Sequence, residues 1–279
     1  MIGRGALAAM AALVVMLAAS PVVAASTRDD LCEPHYIKQP IPPSTDDAIV
    51  LPVIVHYMKS TRHTNEVWNV FRQATLIDYF KENGKINTIW KQAGVRLFLH
   101  RIERCRYDPV AMTDQIKGSK REELPDPTKV GREMYDRVVH FYNYREVAGL
   151  DLYLWWELGG TVTGFAVPYH LSDGGERAGS VWVDTQCVRT PDMLKKCPHL
   201  VAHEIGHFLG LCHICRVEGD PVTGCTSCAG PQDRIPFCSS PAAARSIMRS
   251  RYDGTKLDDC QTKRSAGEAR DRIKSNSPH

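Results

Sequence analysis

The chain has 279 residues, with 35 basic side chains against 32 acidic ones and a net charge of +3. A near-neutral balance with scattered basic residues gives no stripe for nucleic acid or a membrane surface to grip, so neither is expected as a partner. The length suffices to bury one good core.

The first segment is read as an address. Met1 to Arg4 is short and positive, Ala6 to Ala19 is apolar, and Pro21 to Ala25 supplies small residues. That order is the layout of a secretory signal cut after Ala24 or Ala25. The competing reading is a membrane anchor, since the apolar run nearly reaches spanning length if Pro21 is tolerated. Alanine is weakly hydrophobic, and Arg28, Asp29 and Asp30 follow at once, which favours cleavage. The expectation is a signal over 1–25 and a single domain over 26–279, secreted or periplasmic, with no membrane contact after cleavage. The cysteines at 32, 105, 187, 197, 212, 215, 225, 228, 238 and 260 all lie beyond that signal. Ten in an exported chain read as up to five disulfides, among about 945 possible connectivities. Export also favours disulfides over a structural zinc for the two C-x-x-C pairs at 212/215 and 225/228.

Residues 26–47 carry Pro40, Pro42 and Pro43 among polar neighbours and read as an extended arm. Ile49 to Tyr57 is β-branched and apolar, a buried strand. Val67 to Lys81 turns helical, Val95 to Ile102 alternates as a strand, and 106–126 reads as a surface loop. Val130 to Tyr144 fits an amphipathic helix. Leu150 to Trp156, Val162 to Val167 and Ser180 to Asp184 are three short strands. A helix follows from about Pro198 to Leu209, with proline suited to its first turn and Gly210 to its stop. A last helix is placed near Lys263 to Ile273. This order argues a mixed α/β (α+β) sheet with packed helices over about 48–210. A smaller, cysteine-rich and loop-dominated lobe would fill about 211–279, with a cleft between the two.

Residues 203–213 read H-E-I-G-H-F-L-G-L-C-H. Positions four apart share a helix face, so His203 and His207 present both imidazoles to one ion. Glu204 lies one residue round, able to act as catalytic base without occupying the metal. Gly210 can take the left-handed conformation that turns the chain back and brings His213 in as third ligand. Three protein ligands leave a fourth position open for water, the mark of a catalytic zinc site.

The long motif H-E-x-x-H-x-x-G-x-x-H resembles that of the metzincin zinc metallopeptidases, which carry a methionine-containing turn beneath the metal. Ser246-Ile-Met248 follows at a fitting spacing, with Met248 as the candidate. L-D-L-Y-L-W-W, G-T-V-T-G-F-A-V-P and G-S-V-W-V-D upstream resemble strands of the metzincin sheet. In layout they look closest to pappalysin-like members. The resemblance implies a twisted, mixed five-stranded sheet with the zinc helix at the cleft, one catalytic Zn2+, and a protein or peptide substrate. Some metzincins use a tyrosine two residues past the methionine as a further ligand; Ser250 stands there, so Tyr252 is not assigned to the metal. The resemblance also places Arg249, Arg251 and Tyr252 on the wall of the pocket for the residue after the scissile bond. No cysteine-switch sequence surrounds Cys32, which is expected in a disulfide.

Other candidates are weaker. His56, His100, His140, His170 and His199 lack ligand spacing and read as structural or solvated. Asp173, Asp253, Asp258 and Asp259 could take calcium, but no loop spacing supports it and solvated turns are expected. The leading function is a metalloendopeptidase with substrate extended along an edge strand near Thr163 to Val167. The alternative is a secreted zinc-fold binding or toxin-like module without peptidase activity. Glu204 separates the two, since binding alone does not need it.

Overall fold

A computed structural model describes residues 31–37, 40–59, 73–106, 147, 149–155, 164–167, 180–184, 191–211, 213, 246–248 and 255–275. The signal segment, the 107–126 loop, the 130–144 helix, residues 249–252 and most of the cysteine-rich tail lie outside them.

The described strands are β1 (Cys32–Ile37), β2 (Ile49–Lys59), β3 (Val95–Arg106), β4 (Leu150–Trp155), β5 (Gly164–Val167) and β6 (Ser180–Asp184). They form one six-stranded sheet in the order β1-β3-β2-β4-β6-β5. The four inner strands run parallel, and β1 and β5 close the two edges antiparallel. The helices are α1 (Gln73–Phe80), α2 (Lys85–Trp90) with a 3-10 turn over Lys91–Ala93, α3 (Pro191–Phe208) and α4 (Asp259–Ser275).

The inner strands bury both faces, which explains why β2 reads as a nearly continuous apolar run. Pro52 sits inside that run without breaking it. It pairs with Phe98 of β3, and β4 joins β2 only from Val53 onward. A proline has no N–H to give a second neighbour. The odd-numbered residues Leu51, Val53, Val55 and Tyr57 pack with Leu76, Ile86, Trp90, Val201, Ile205 and Phe208 from the helices into the main core.

The opposite face of the sheet carries a registered row of rings. His56, Tyr153, Trp182 and Phe165 are successive cross-strand partners on β2, β4, β6 and β5. His56 stacks on Tyr153 with centroids 4.6 Å apart, Tyr153 on Trp182 at 4.4 Å, and Phe165 parallel to Trp182 at 5.8 Å. The row continues in Glu103, the partner of His56 on β3. His56 is fully buried, its Nε2 2.8 Å from an Asp151 oxygen and its Nδ1 3.3 Å from one of Glu103, which Arg101 also engages. The expectation of a structural role holds for this histidine.

Several sequence expectations are corrected. The sheet has six strands, not five, because part of the arm pairs as β1: Cys32 lies opposite Cys105 and is bonded to it. Helix α3 begins at Pro191, so Pro198 lies inside it and forfeits a ladder bond that packing must offset. Helix α2 and its 3-10 turn carry no sequence signal. They are fastened by Asn87, whose amide donates to the Phe80, Lys81 and Leu97 carbonyls and accepts from the Leu97 N–H. Asp258, expected in a solvated turn, is exposed and caps α4 by accepting from the Gln261 N–H at 2.8 Å. Cys32 is disulfide-bonded as expected, Cys197 and Cys260 are also in disulfides, and no described cysteine is free.

Candidate metal centre

Helix α3 carries His203, Glu204 and His207 into the space beside β5 and β6. Its last turn is closed by backbone geometry: Leu211 N donates to Gly206 O at 2.8 Å and Gly210 N to His207 O at 3.0 Å, with Gly210 at φ +73°. This paired pattern around a left-handed glycine is a Schellman stop. A side chain at 210 would strain that φ, and without the reversal His213 could not return to the helix.

The reversal brings three nitrogens together. The Nε2 atoms of His203 and His213 are 3.0 Å apart, and each of the other two pairs stands at 3.1 Å. The far nitrogens are held. His203 Nδ1 donates to the Ile247 carbonyl at 2.7 Å and His207 Nδ1 to the Leu211 carbonyl at 2.8 Å. Each bond fixes the tautomer and leaves the Nε2 lone pair facing the common centre. Burial and mutual repulsion push His203 well below the usual histidine range and His207 down to about 3, while the carbonyl bonds pull the other way. Both are therefore neutral at pH 7.

Three neutral imidazoles aiming lone pairs at one point repel one another unless a cation lies between them. Tetrahedral zinc with bonds of about 2.0–2.1 Å sets its ligand nitrogens roughly 3.3–3.4 Å apart, within a few tenths of the separations here. The donor set fits zinc. Cys32, Cys105 and Glu103 also group within ligand range, but both sulfurs are spent in the disulfide.

Glu204 is buried, and burial pushes its carboxyl up to about 8. A cation beside it favours the charged form instead. A Cβ on Gly164 would stand 3.1 Å from the Glu204 Cγ and 3.2 Å from the Leu200 Cδ1. The bare backbone of edge strand β5 thus passes directly against the stem of Glu204.

Met248 packs against α3 at Gly206. It is fully buried, and a Cβ on Gly206 would fall only 2.3 Å from its sulfur. The turn that holds it is tied down on its own side. Met248 N donates to Ser246 Oγ at 3.2 Å, Ile247 N donates to the Lys256 carbonyl at 3.0 Å, and Ser246 bridges to Lys256. Sequence reasoning missed Gly164, Gly206 and the orienting carbonyls of Ile247 and Leu211. A carbonyl is present at every residue and leaves no mark in the sequence.

Residues 84–214 match the model of the metallopeptidase family M12B, reprolysin-like. No curated protein matches. Mature mirolysin of Tannerella forsythia, in complex with a cleaved peptide, is similar in structure, with a TM-score of 0.51 and 14% identity over 84% of this chain and 98% of that one. Mirolysin in complex with a compound aligns at 0.48 and 13% identity over 83% of this chain and 98% of that one. The first likeness shows a shared fold. The family match spans the motif-bearing segment, just under half of the chain, and supports reading it as a zinc metallopeptidase, a hydrolase.

Proposed function

We propose that the chain is a secreted or periplasmic metalloendopeptidase, a single catalytic domain over 26–279 behind a cleaved signal. His203, His207 and His213 hold the metal, Glu204 is the catalytic base and Met248 is the floor of the site. The observation that carries this is the convergence of three Nε2 atoms, two of them oriented by carbonyls, beside a buried carboxylate and a sheet edge. A zinc ion there supplies Lewis acidity and brings the pKa of water to around 7. Glu204 takes a proton from the attacking water and delivers it to the leaving amine nitrogen. Its oxygens are kept near that path because the stem is confined between Gly164 and α3.

An extended peptide added alongside β5 offers its carbonyls in a row past Glu204, and strand addition supplies affinity without demanding particular side chains. That mirolysin has been seen with a cleaved peptide supports this substrate class. The closer likeness to pappalysin-like members belongs to the same proposal. Arg249, Arg251 and Tyr252 form the wall after the cut in this reading. A paired guanidinium there, worth roughly 1.5–3 kcal/mol, favours Asp or Glu over Leu at least about tenfold. Cleavage mapping of Arg249→Ala and Arg251→Ala should lose that preference, and an unchanged apolar preference removes the pocket from the proposal.

The deciding experiment pairs metal analysis with turnover of a peptide library by the exported protein. Glu204→Gln should keep one zinc per chain and lose about 10²–10⁴ in kcat/KM, the usual share of a general base. Full activity in that variant removes Glu204 as the base. Zinc bound by the wild type with no peptide cleaved would favour a binding module.

A further inference from the structure

Two of the three histidines are oriented by carbonyls, and both of those carbonyls sit in turns fastened to one helix. Gln261 and Arg264, three apart on α4, share a face. Gln261 forms a reciprocal cap with Asp258, its Oε1 accepting from the Asp258 N–H at 3.0 Å. Its Nε2 is then left to donate to Ser246 Oγ at 3.4 Å. Ser246 also accepts from Met248 N, in the turn whose Ile247 carbonyl holds His203. Arg264 Nε donates to the Gly210 carbonyl at 2.8 Å, in the turn whose Leu211 carbonyl holds His207. Gln261 is buried, and Arg264 keeps an ion-pair contact to Glu268 at 4.0 Å.

We propose that α4 is a back-plate of the metal centre, with Gln261 and Arg264 as positioning residues that hold the His203 and His207 supports in register. The proposal rests on the reading of those histidines as zinc ligands. A capped, docked helix needs neither contact for its own sake: Ala266 and Ala269 already pack into the core, and Asp258 supplies the cap. Both side chains nonetheless reach away from α4 to the two turns that carry acceptors for ring nitrogens. Partners that orient ligands typically account for about 10–100-fold in metal affinity. Gln261 and Arg264 stand one bond further out, so the low end is expected.

The test uses the full exported chain. Zinc dissociation constants are measured by competition with a chromophoric chelator, alongside the Co2+ d–d spectrum and the melting of the apoprotein. Gln261→Met and Arg264→Met should each weaken zinc binding about tenfold and shift the Co2+ bands. Arg264→Lys, which keeps a donor for Gly210, should recover most of the affinity, and Glu268→Gln should leave it unchanged. If Gln261→Met does not fold, Ser246→Ala removes the same link with the α4 cap intact and should show the same loss. Wild-type affinity and an unchanged Co2+ spectrum in the folded variants, with only the apoprotein melt lowered, would reduce α4 to packing and overturn the proposal. A wild-type chain that binds no zinc would instead overturn the ligand reading beneath it.

Discussion

Replacing His56 by leucine tests the physics of the buried row. The imidazole lies between Asp151, 2% exposed, and Glu103, fully buried. Both partners are acceptors, so both ring nitrogens donate only when the ring is charged. Burial alone pushes the His56 pKa down; the hydrogen bonds and charges of Asp151 and Glu103 outweigh it, and the net direction is up. Removing one member of a buried ionic group costs about 3–5 kcal/mol, because its partners stay desolvated. The exposed Lys81–Asp78 pair, with side chains 58% and 65% exposed, is by contrast worth no more than about 1 kcal/mol. At about 2–4 °C per kcal/mol for a chain of this size, His56→Leu should melt about 6–20 °C lower. The pH dependence has a definite sign. A raised folded pKa means stabilisation that is complete below about 6.5, the unfolded value, and fades as pH rises through the folded value. Urea titrations of both proteins at pH 6 and pH 9 isolate the His56, Asp151 and Glu103 cluster, since titrations elsewhere cancel in the difference. The wild-type advantage should be larger at pH 6. An advantage under 1 kcal/mol there, or one equal at both pH values, would refute the charged-histidine assignment.

Two further outcomes follow from the packing. The Cys32–Cys105 bridge spans 73 residues, and the loop-entropy relation gives about 4 kcal/mol for that length. Cys32→Ala/Cys105→Ala should therefore melt about 8–16 °C lower, and a fall under 3 °C would show that β1 pairs as well without the bond. Gly206→Ala should destabilise despite a gain of about 1 kcal/mol in helix propensity, because its Cβ overlaps the Met248 sulfur. In a double-mutant cycle with Met248→Ala the paired change should cost at least about 1 kcal/mol less than the sum, and strict additivity would deny the contact.

What the sequence disclosed divides by range. The motif in α3 was legible because a four-residue spacing and a left-handed glycine are local rules, and the structure obeys them at His203, His207 and Gly210. Strands β2, β4 and β6 were legible because fully buried parallel strands are apolar on both faces. β1 was not, since C-E-P-H-Y-I lacks alternation and its place is set by Cys105, far along the chain. Helix α2 is six residues long with no side-chain cap, and tertiary bonds to Asn87 hold it. The charged partners of His56 come from two other strands, so its neighbourhood had no signature in its own segment.

The two edges of the sheet differ in how readily another chain could extend it. An unpaired strand edge is a template for polymer growth, and proteins blunt it with proline, charge and irregular register. β1 has all three: Pro34 without an N–H, an exposed Glu33, and a register slip between Pro34 and Tyr36, all anchored by a covalent bond. β5 has none of them in its four residues, and it begins at Gly164 against Glu204. Edge-to-edge stacking of copies into a ladder needs two receptive edges, and one of the two described here is closed. An extended segment arriving from solution is left with β5, the edge on which the proposed substrate strand is placed.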